Sequence, residues 1–382
     1  MGLATLMALH YSKGLGPENR GVLSFVTVAM MLLSEILLNA LNLEVRSTFD
    51  LDHLRLRVRI FVVASLKRIL VTVITLLIAE IIFSQYKSHI AVKLYIIFSV
   101  YIFIALFTQQ LMELLLAFSR INVSSIIEVC IVFVQVLTYC LLLLFTSISL
   151  IVIVFLSLIL SYSLASISIA LYSRNDLYLL WAKDKNQSKS FLANANNFLP
   201  QTLAVSLLDR VDKILVLFMF SVTEFGKYMV AVSIFLTLRF VPEAIGKLIL
   251  ARRLKSLTAY INVKIKPSLF LLVLAVFPVA KIGDVLIRRL LGVDWSLPLS
   301  LYVVLLSAEV LRFFVIVELN RRNILKEHAF APWAPLWILI AVTCSVLAVK
   351  PFLGIQSVPV VMFITYGTVF WILTVKLSRK PS

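Results

Sequence analysis

The stretch Phe198 to Phe220, FLPQTLAVSLLDRVDKILVLFMF, has the length of a bilayer-crossing helix yet carries Asp209, Arg210, Asp212 and Lys213 in its middle. A spanning helix needs roughly 20 residues, and a charge at bilayer depth costs about 2.5–3.5 kcal/mol on insertion scales. At about 100° per residue, Gln201, Thr202, Ser206, Asp209, Asp212 and Lys213 share one arc of such a helix. Leu203, Leu207, Val211, Ile214 and Phe218 face the other way. The polar stripe is therefore expected against other protein or a water-filled cavity, and the helix is expected to line something.

Composition says what surrounds it. Apolar residues make up 61% of the 382 residues and charged ones 14%, with a mean hydropathy of +1.03. A soluble domain carries about 25% charged residues, so the chain reads as an all-α polytopic membrane protein. The net charge of +17 would point to nucleic acid in a soluble protein. Here it is read as loop Lys and Arg that fix topology, with no nucleic-acid partner. Cys130, Cys140 and Cys344 sit in apolar segments without metal-ligand spacing and read as packing residues. His10, His53, His89 and His328 are scattered. No metal site, cofactor or His-based catalytic constellation is expected.

Along the chain, Met1 to Tyr11 is apolar but only about half a span, and reads as the remainder of a first helix whose beginning is missing. A loop, SKGLGPENRG, is expected next, from its turn formers Gly14, Gly16, Pro17, Asn19 and Gly21. Spans are expected at 21–43, 60–84, 93–118, 125–146 and 148–172, then at 198–220, 227–250, 265–281, 297–318, 332–350 and 356–377. That is about twelve helices with the first truncated, in two halves, 1–172 and 198–382, joined by the polar linker 173–197. With alternating spans, inside loops hold 20 of the 36 Lys and Arg and outside loops 9. The positive-inside rule then places the linker and the C-terminus in the cytoplasm. VLIRRLLGVDW, with Arg288 and Arg289 on the outer side, reads as a short interfacial helix. A weak internal repeat relates GPENRGVLSFVTVAMML to SVTEFGKYMVAVSIFL, with Gly21 and Gly226 each heading a span.

The spans carry charges of both signs. Asp209 and Lys213 are spaced i,i+4, Arg239, Glu243 and Lys247 form an i, i+4, i+8 ladder beside Pro242, and Glu309 and Arg312 are spaced i,i+3. Pairs of this kind can simply neutralise each other between helices. As a set they mark a pathway, because ionisable residues within membranes cluster where substrates and ions pass. Arg210, Lys213, Arg239 and Arg312 suit an anionic substrate such as a phosphate or pyrophosphate headgroup, which arginine holds with paired donors. Glu35, Glu113, Asp209, Asp212, Glu243 and Glu309 are the candidate coupling or ion-pair carboxylates.

The segment LLDRVDKILVLFMFSVTEFGKYMVAVSIFLTLRFVPEAIGKLI resembles the polysaccharide-transporter branch, the O-antigen-type flippases, of the multidrug/oligosaccharidyl-lipid/polysaccharide flippase superfamily. The matches are Asp209, Asp212 and Lys213, then Gly226 and Tyr228, with GPENRG and LLGVDW resembling two further family segments. In the family the first helix is complete, and the eighth often ends in a proline before a basic loop that here reads LILARRLKS. The resemblance implies two six-helix bundles around a central cavity. It also implies alternating access, coupled to a proton or sodium ion. Its cargo would be an undecaprenyl-pyrophosphate-linked oligosaccharide, moved across the bacterial inner membrane for O-antigen, capsule or exopolysaccharide synthesis. Membrane lipid, a polysaccharide polymerase and chain-length proteins are the partners it implies. The alternatives are a drug or organic-cation exporter of the same superfamily and a membrane polysaccharide polymerase or ligase. The short outside loops argue against an enzyme, and a non-transporting scaffold for envelope assembly also stays open.

Overall fold

In the structure, a computed structural model, the described residues are 2–47, 51–87, 92–118, 120–173, 185–197, 199–235, 276–324 and 334–372. Among them no strand occurs. The helices are α1 (Gly2–Ser47), α2 (Leu51–Lys87), α3 (Val92–Ala117), α4 (Ile121–Phe145), α5 (Leu150–Tyr172), α6 (Lys185–Asn197), α7 (Leu199–Met219), α8 (Val222–Phe235), α9 (276–290), α10 (Leu299–Ile324), α11 (Ala334–Leu353) and α12 (Ser357–Trp371). Single 3₁₀ turns at Val293–Trp295 and Gly354–Gln356 join α9 to α10 and α11 to α12. The spans Leu9–Asn42, Ile60–Ile78, Ile96–Ala117, Asn122–Phe145, Leu150–Tyr172 and Trp337–Trp371 are long and apolar enough to cross a membrane. The all-helical membrane architecture expected from the sequence is observed.

The loop expected at SKGLGPENRG is shorter than its composition implies. Helix continues through it apart from Gly16, whose φ of 77° and ψ of 165° break the run. Pro17 then starts a second helical segment at the one position where its missing N–H is not needed. Glycine takes the left-handed φ that a side chain would resist, so one residue turns the chain where a longer loop was expected.

The chain groups into two compact units, residues 25–206 and residues 1–24 with 207–382. In the first, α5 packs against both α3 and α4, and α2 packs against α3. Its interior holds Phe98 against Phe155 with ring centroids 4.3 Å apart, and an apolar cluster of Leu111, Leu115, Ile127, Ile131, Ala165 and Ile169. Small hydroxyls pair inside rather than outside: Thr108 Oγ1 lies 2.6 Å from Ser166 Oγ, and Ser65 donates to Gln110 Oε1 at 3.1 Å. Its outward faces carry large apolar side chains such as Ile126, Val129, Phe133 and Leu171. Polar pairs within and hydrocarbon without is the arrangement lipid selects. Cys130, Cys140 and Cys344 belong to such outer faces. They are therefore not the packing residues that their apolar neighbourhoods implied.

In the second unit α10 and α11 pack on α12, and α8 packs on α10. The helix expected to begin at the interface near VLIRRLLGVDW is instead the end of α9, which runs unbroken from 276 to 290. Arg288 Nε donates to Asp284 Oδ1 at 2.9 Å one turn earlier. Trp295 is buried below the following turn, where the interfacial reading puts it on an outer apolar side.

The two repeat-related glycines meet within this unit. A Cβ on Gly226 would overlap the Pro17 carbonyl oxygen and lie 2.9 Å from its carbon, and a Cβ on Gly21 would overlap the Val222 carbonyl oxygen. Gly226 lies as far along the chain from Val222 as Gly21 does from Pro17. The two contacts are therefore reciprocal. Both residues are glycine because the crossing backbones leave no room for a side chain.

A buried charge cluster as the candidate functional site

α7 begins Leu-Pro, with Pro200 in the first turn where no backbone donor is lost. Thr202 Oγ1 donates to the Leu199 carbonyl at 3.0 Å and Ser206 Oγ to the Thr202 carbonyl at 2.8 Å, so these hydroxyls are satisfied within the helix. Thr202, Ser206, Arg210, Asp212 and Lys213 are all buried, while Phe218 is 70% exposed. The polar arc faces protein, as its periodicity requires. Val211, expected on the opposite arc, is also buried, so the protein covers a wider sector of α7 than its stripe.

At the end of α7 Lys350 arrives from α11. Its Nζ donates to the Met219 carbonyl at 2.8 Å and sits 4.9 Å from the Phe220 ring centroid. A cation here meets unsatisfied carbonyls and the negative end of the helix dipole. The chain re-enters α8 through a reciprocal cap: Ser221 N donates to Glu224 Oε2 at 3.0 Å and Glu224 N to Ser221 Oγ at 3.2 Å. The S-V-T-E sequence carries that signal.

The tight turn brings α8 back along α7. Tyr228, wholly buried, donates its hydroxyl proton to Asp212 Oδ2 at 3.0 Å. The same carboxylate accepts from Lys213 Nζ, at 3.1 Å on Oδ1 and 3.3 Å on Oδ2. One buried carboxylate thus holds both a cation from its own helix and a phenol from the next. The expected i,i+4 partnership of Lys213 with Asp209 falls on a side chain outside the described residues. On α10, Arg312 Nη1 lies 2.8 and 3.0 Å from the two oxygens of Glu309, the i,i+3 pair the spacing implied. Arg312 is only 2% exposed. Glu309, and Tyr366 from α12, lie within electrostatic reach of Tyr228. Helices α7 and α8 share the Asp212 carboxylate, and α10, which packs on α8 and α12, carries the Glu309–Arg312 pair.

The structure brings together Asp212, Lys213, Glu309 and Arg312 of the sequence candidates, and places Arg210 on the buried side of α7 one turn from Lys213. Glu113 is half-buried on α3, in the other unit. Arg239 and Glu243 lie outside the described residues, as do the side chains of Glu35 and Asp209. Tyr228 and Tyr366 complete the cluster. The Gly-x-Tyr after the turn marks Tyr228, whereas nothing near Tyr366 in sequence singles it out. The groups present can hold an anion on cations or a proton on carboxylates, and among the described residues no cluster of metal-ligating side chains occurs.

Two solved structures share this fold. A mutant of the Vibrio cholerae MATE transporter VcmN aligns over 99% of this chain and 93% of its own with 11% identity and a TM-score of 0.65. An inward-facing multidrug resistance MATE family transporter of the MOP superfamily aligns over 98% of this chain and 94% of its own, with 16% identity and a TM-score of 0.63. No family model matches the chain, and no curated protein sequence matches it. The chain has the fold of a MATE transporter.

Proposed function

We propose that this chain is a membrane transporter of the MOP superfamily that moves an undecaprenyl-pyrophosphate-linked oligosaccharide across the bacterial inner membrane by alternating access. Its six-helix bundles, 1–172 and 198–382, are joined by the cytoplasmic linker 173–197. The observation that carries the reading is the shared carboxylate: Asp212 binds both Lys213 and Tyr228. These are the flippase-like motif residues, otherwise separated along the chain by a turn. At rest Asp212 and Glu309 occupy Lys213 and Arg312. A pyrophosphate competes with those carboxylates for the same cations. Protonation of either carboxylate releases its cation to the cargo, which couples binding to a proton.

The test is a deletion strain fed radiolabelled sugar. Loss of the protein leaves lipid-linked repeat units on the cytoplasmic leaflet, and wild type but not Lys213→Ala restores them to the outer one at matched membrane levels. Equal restoration by Lys213→Ala and Arg312→Ala would remove these residues from the pathway.

A second reading, an organic-cation exporter, is favoured by the MATE identity of both structural neighbours. It requires Asp212 and Glu309 to give up their cations to the substrate. Altered dye efflux with normal lipid-linked intermediates in the deletion strain would select it.

A further inference from the structure

Arg20 reads in the sequence as an outside-loop cation, but it is 7% exposed. It sits on the first turn after the break at Gly16. Its Nη1 donates to the Tyr11 hydroxyl at 3.1 Å and its Nη2 to Ser233 Oγ on α8 at 3.3 Å. The guanidinium carbon lies 5.2 Å over the Tyr11 ring. Every one of these partners is neutral. Nε is buried without an acceptor, and among the described residues no carboxylate pairs with Arg20. Glu18, on the same turn, is exposed.

A buried lone cation costs several times what two neutral hydrogen bonds and one cation–π contact return. Its place in the fold adds to the imbalance. Pro17 opens the helical segment, so Arg20 belongs to the first turn of that segment, at the positive end of its dipole. All of these groups favour an anion, and the planar guanidinium fork matches phosphate oxygens. The hydroxyls differ in what they can add. Ser233 already donates to the Met229 carbonyl at 2.6 Å, so it can only accept, whereas the Tyr11 O–H has no acceptor among the described residues.

We propose that Arg20, with the Tyr11 hydroxyl, is a binding site for a phosphate-bearing anion, anchored to α8 through Ser233. A lipid headgroup phosphate or the pyrophosphate of a cargo would supply the same oxygens. The site does not rest on the flippase reading, since any phosphate ester lipid fills it.

The test uses the purified, delipidated full chain titrated separately with inorganic pyrophosphate and with phosphatidylglycerol, read by thermophoresis. Arg20→Gln should weaken binding at least tenfold, with Arg20→Lys retaining part of it and Tyr11→Phe losing severalfold. Lys213→Ala, which removes the separate pyrophosphate contact proposed on α7, should still bind phosphatidylglycerol in an Arg20-dependent way. Binding of pyrophosphate alone assigns a cargo-like phosphate, and binding of phosphatidylglycerol alone assigns a membrane lipid. Competition between the two assigns the shared chemistry. If neither probe binds, or if Arg20→Gln binds as wild type does, the site is overturned. Should Arg20→Gln fail to fold, Arg20→Lys and Tyr11→Phe decide on the same readout. Flipping that survives Arg20→Gln while phosphate binding is lost leaves the transport reading intact, and loss of flipping in Lys213→Ala with phosphatidylglycerol binding retained separates the two in the other direction.

Discussion

Gly226→Ala is the sharpest probe of how residues 1–24 join the C-terminal unit. The added methyl would overlap the Pro17 carbonyl oxygen and lie 2.9 Å from the Pro17 carbon and 3.0 Å from the Gly21 nitrogen. All three are backbone atoms, so no rotamer change relieves them. Ordinary contact begins near 3.4 Å, so relieving the carbonyl overlap parts the two segments by more than about one ångström, and overpacking costs about 1–3 kcal/mol, at the upper end here. For a chain of this size that corresponds to a fall in melting temperature of roughly 2–10 °C, measured on the detergent-purified chain by size-exclusion thermostability. Gly21→Ala meets the Val222 carbonyl and also Val222 Cγ1 at 2.7 Å, part of which a side-chain rotation relieves, so its fall should be smaller. The double variant should lose less than the sum, because one seam is already open. A Gly226→Ala protein melting with wild type, or full additivity in the double variant, would refute the reciprocal contact.

Asp212→Asn should cost about 3–5 kcal/mol by stripping the charge that Lys213 and Tyr228 share, and adding Lys213→Met should restore part of that loss in the same melting assay. Tyr228→Phe should cost about 1–3 kcal/mol, since it removes a buried hydrogen bond to an ionised acceptor. Lys350→Ala should lower stability by about 1 kcal/mol through lost capping of α7, visible as faster proteolysis near Phe220. Cys130, Cys140 and Cys344 should react in membranes with a lipid-soluble maleimide and resist a membrane-impermeant one. Protection of all three from the lipid-soluble reagent would contradict their lipid-facing exposure.

Much of the site is legible in the sequence because a helical period survives any tertiary arrangement. The stripe through Thr202, Ser206, Asp212 and Lys213 and the i,i+3 pair Glu309–Arg312 follow from spacing alone. What spacing cannot give is a contact between adjacent residues or one made across a turn. The adjacent Lys213–Asp212 pair and the turn that returns Tyr228 to Asp212 follow from no helical spacing. Arg20 misleads for a related reason. Gly14, Gly16 and Pro17 look like a loop, and loops imply exposure. One break at Gly16 instead leaves Arg20 inside a helix contact, with Ser233 more than two hundred residues away. The cysteines mislead in the opposite sense, since in lipid an apolar segment presents its hydrocarbon outward as readily as inward.

The central claim is that the Asp212–Lys213–Tyr228 and Glu309–Arg312 cluster handles an anionic lipid-linked cargo. Its most direct test is flipping of a fluorescent undecaprenyl-pyrophosphate oligosaccharide by the purified chain in proteoliposomes, followed by quenching from the outer face. The account predicts flipping above empty vesicles, accelerated by a proton gradient and lost in both Lys213→Ala and Arg312→Ala at equal incorporation. Flipping no faster than in empty vesicles, with an organic cation moved instead, would contradict it.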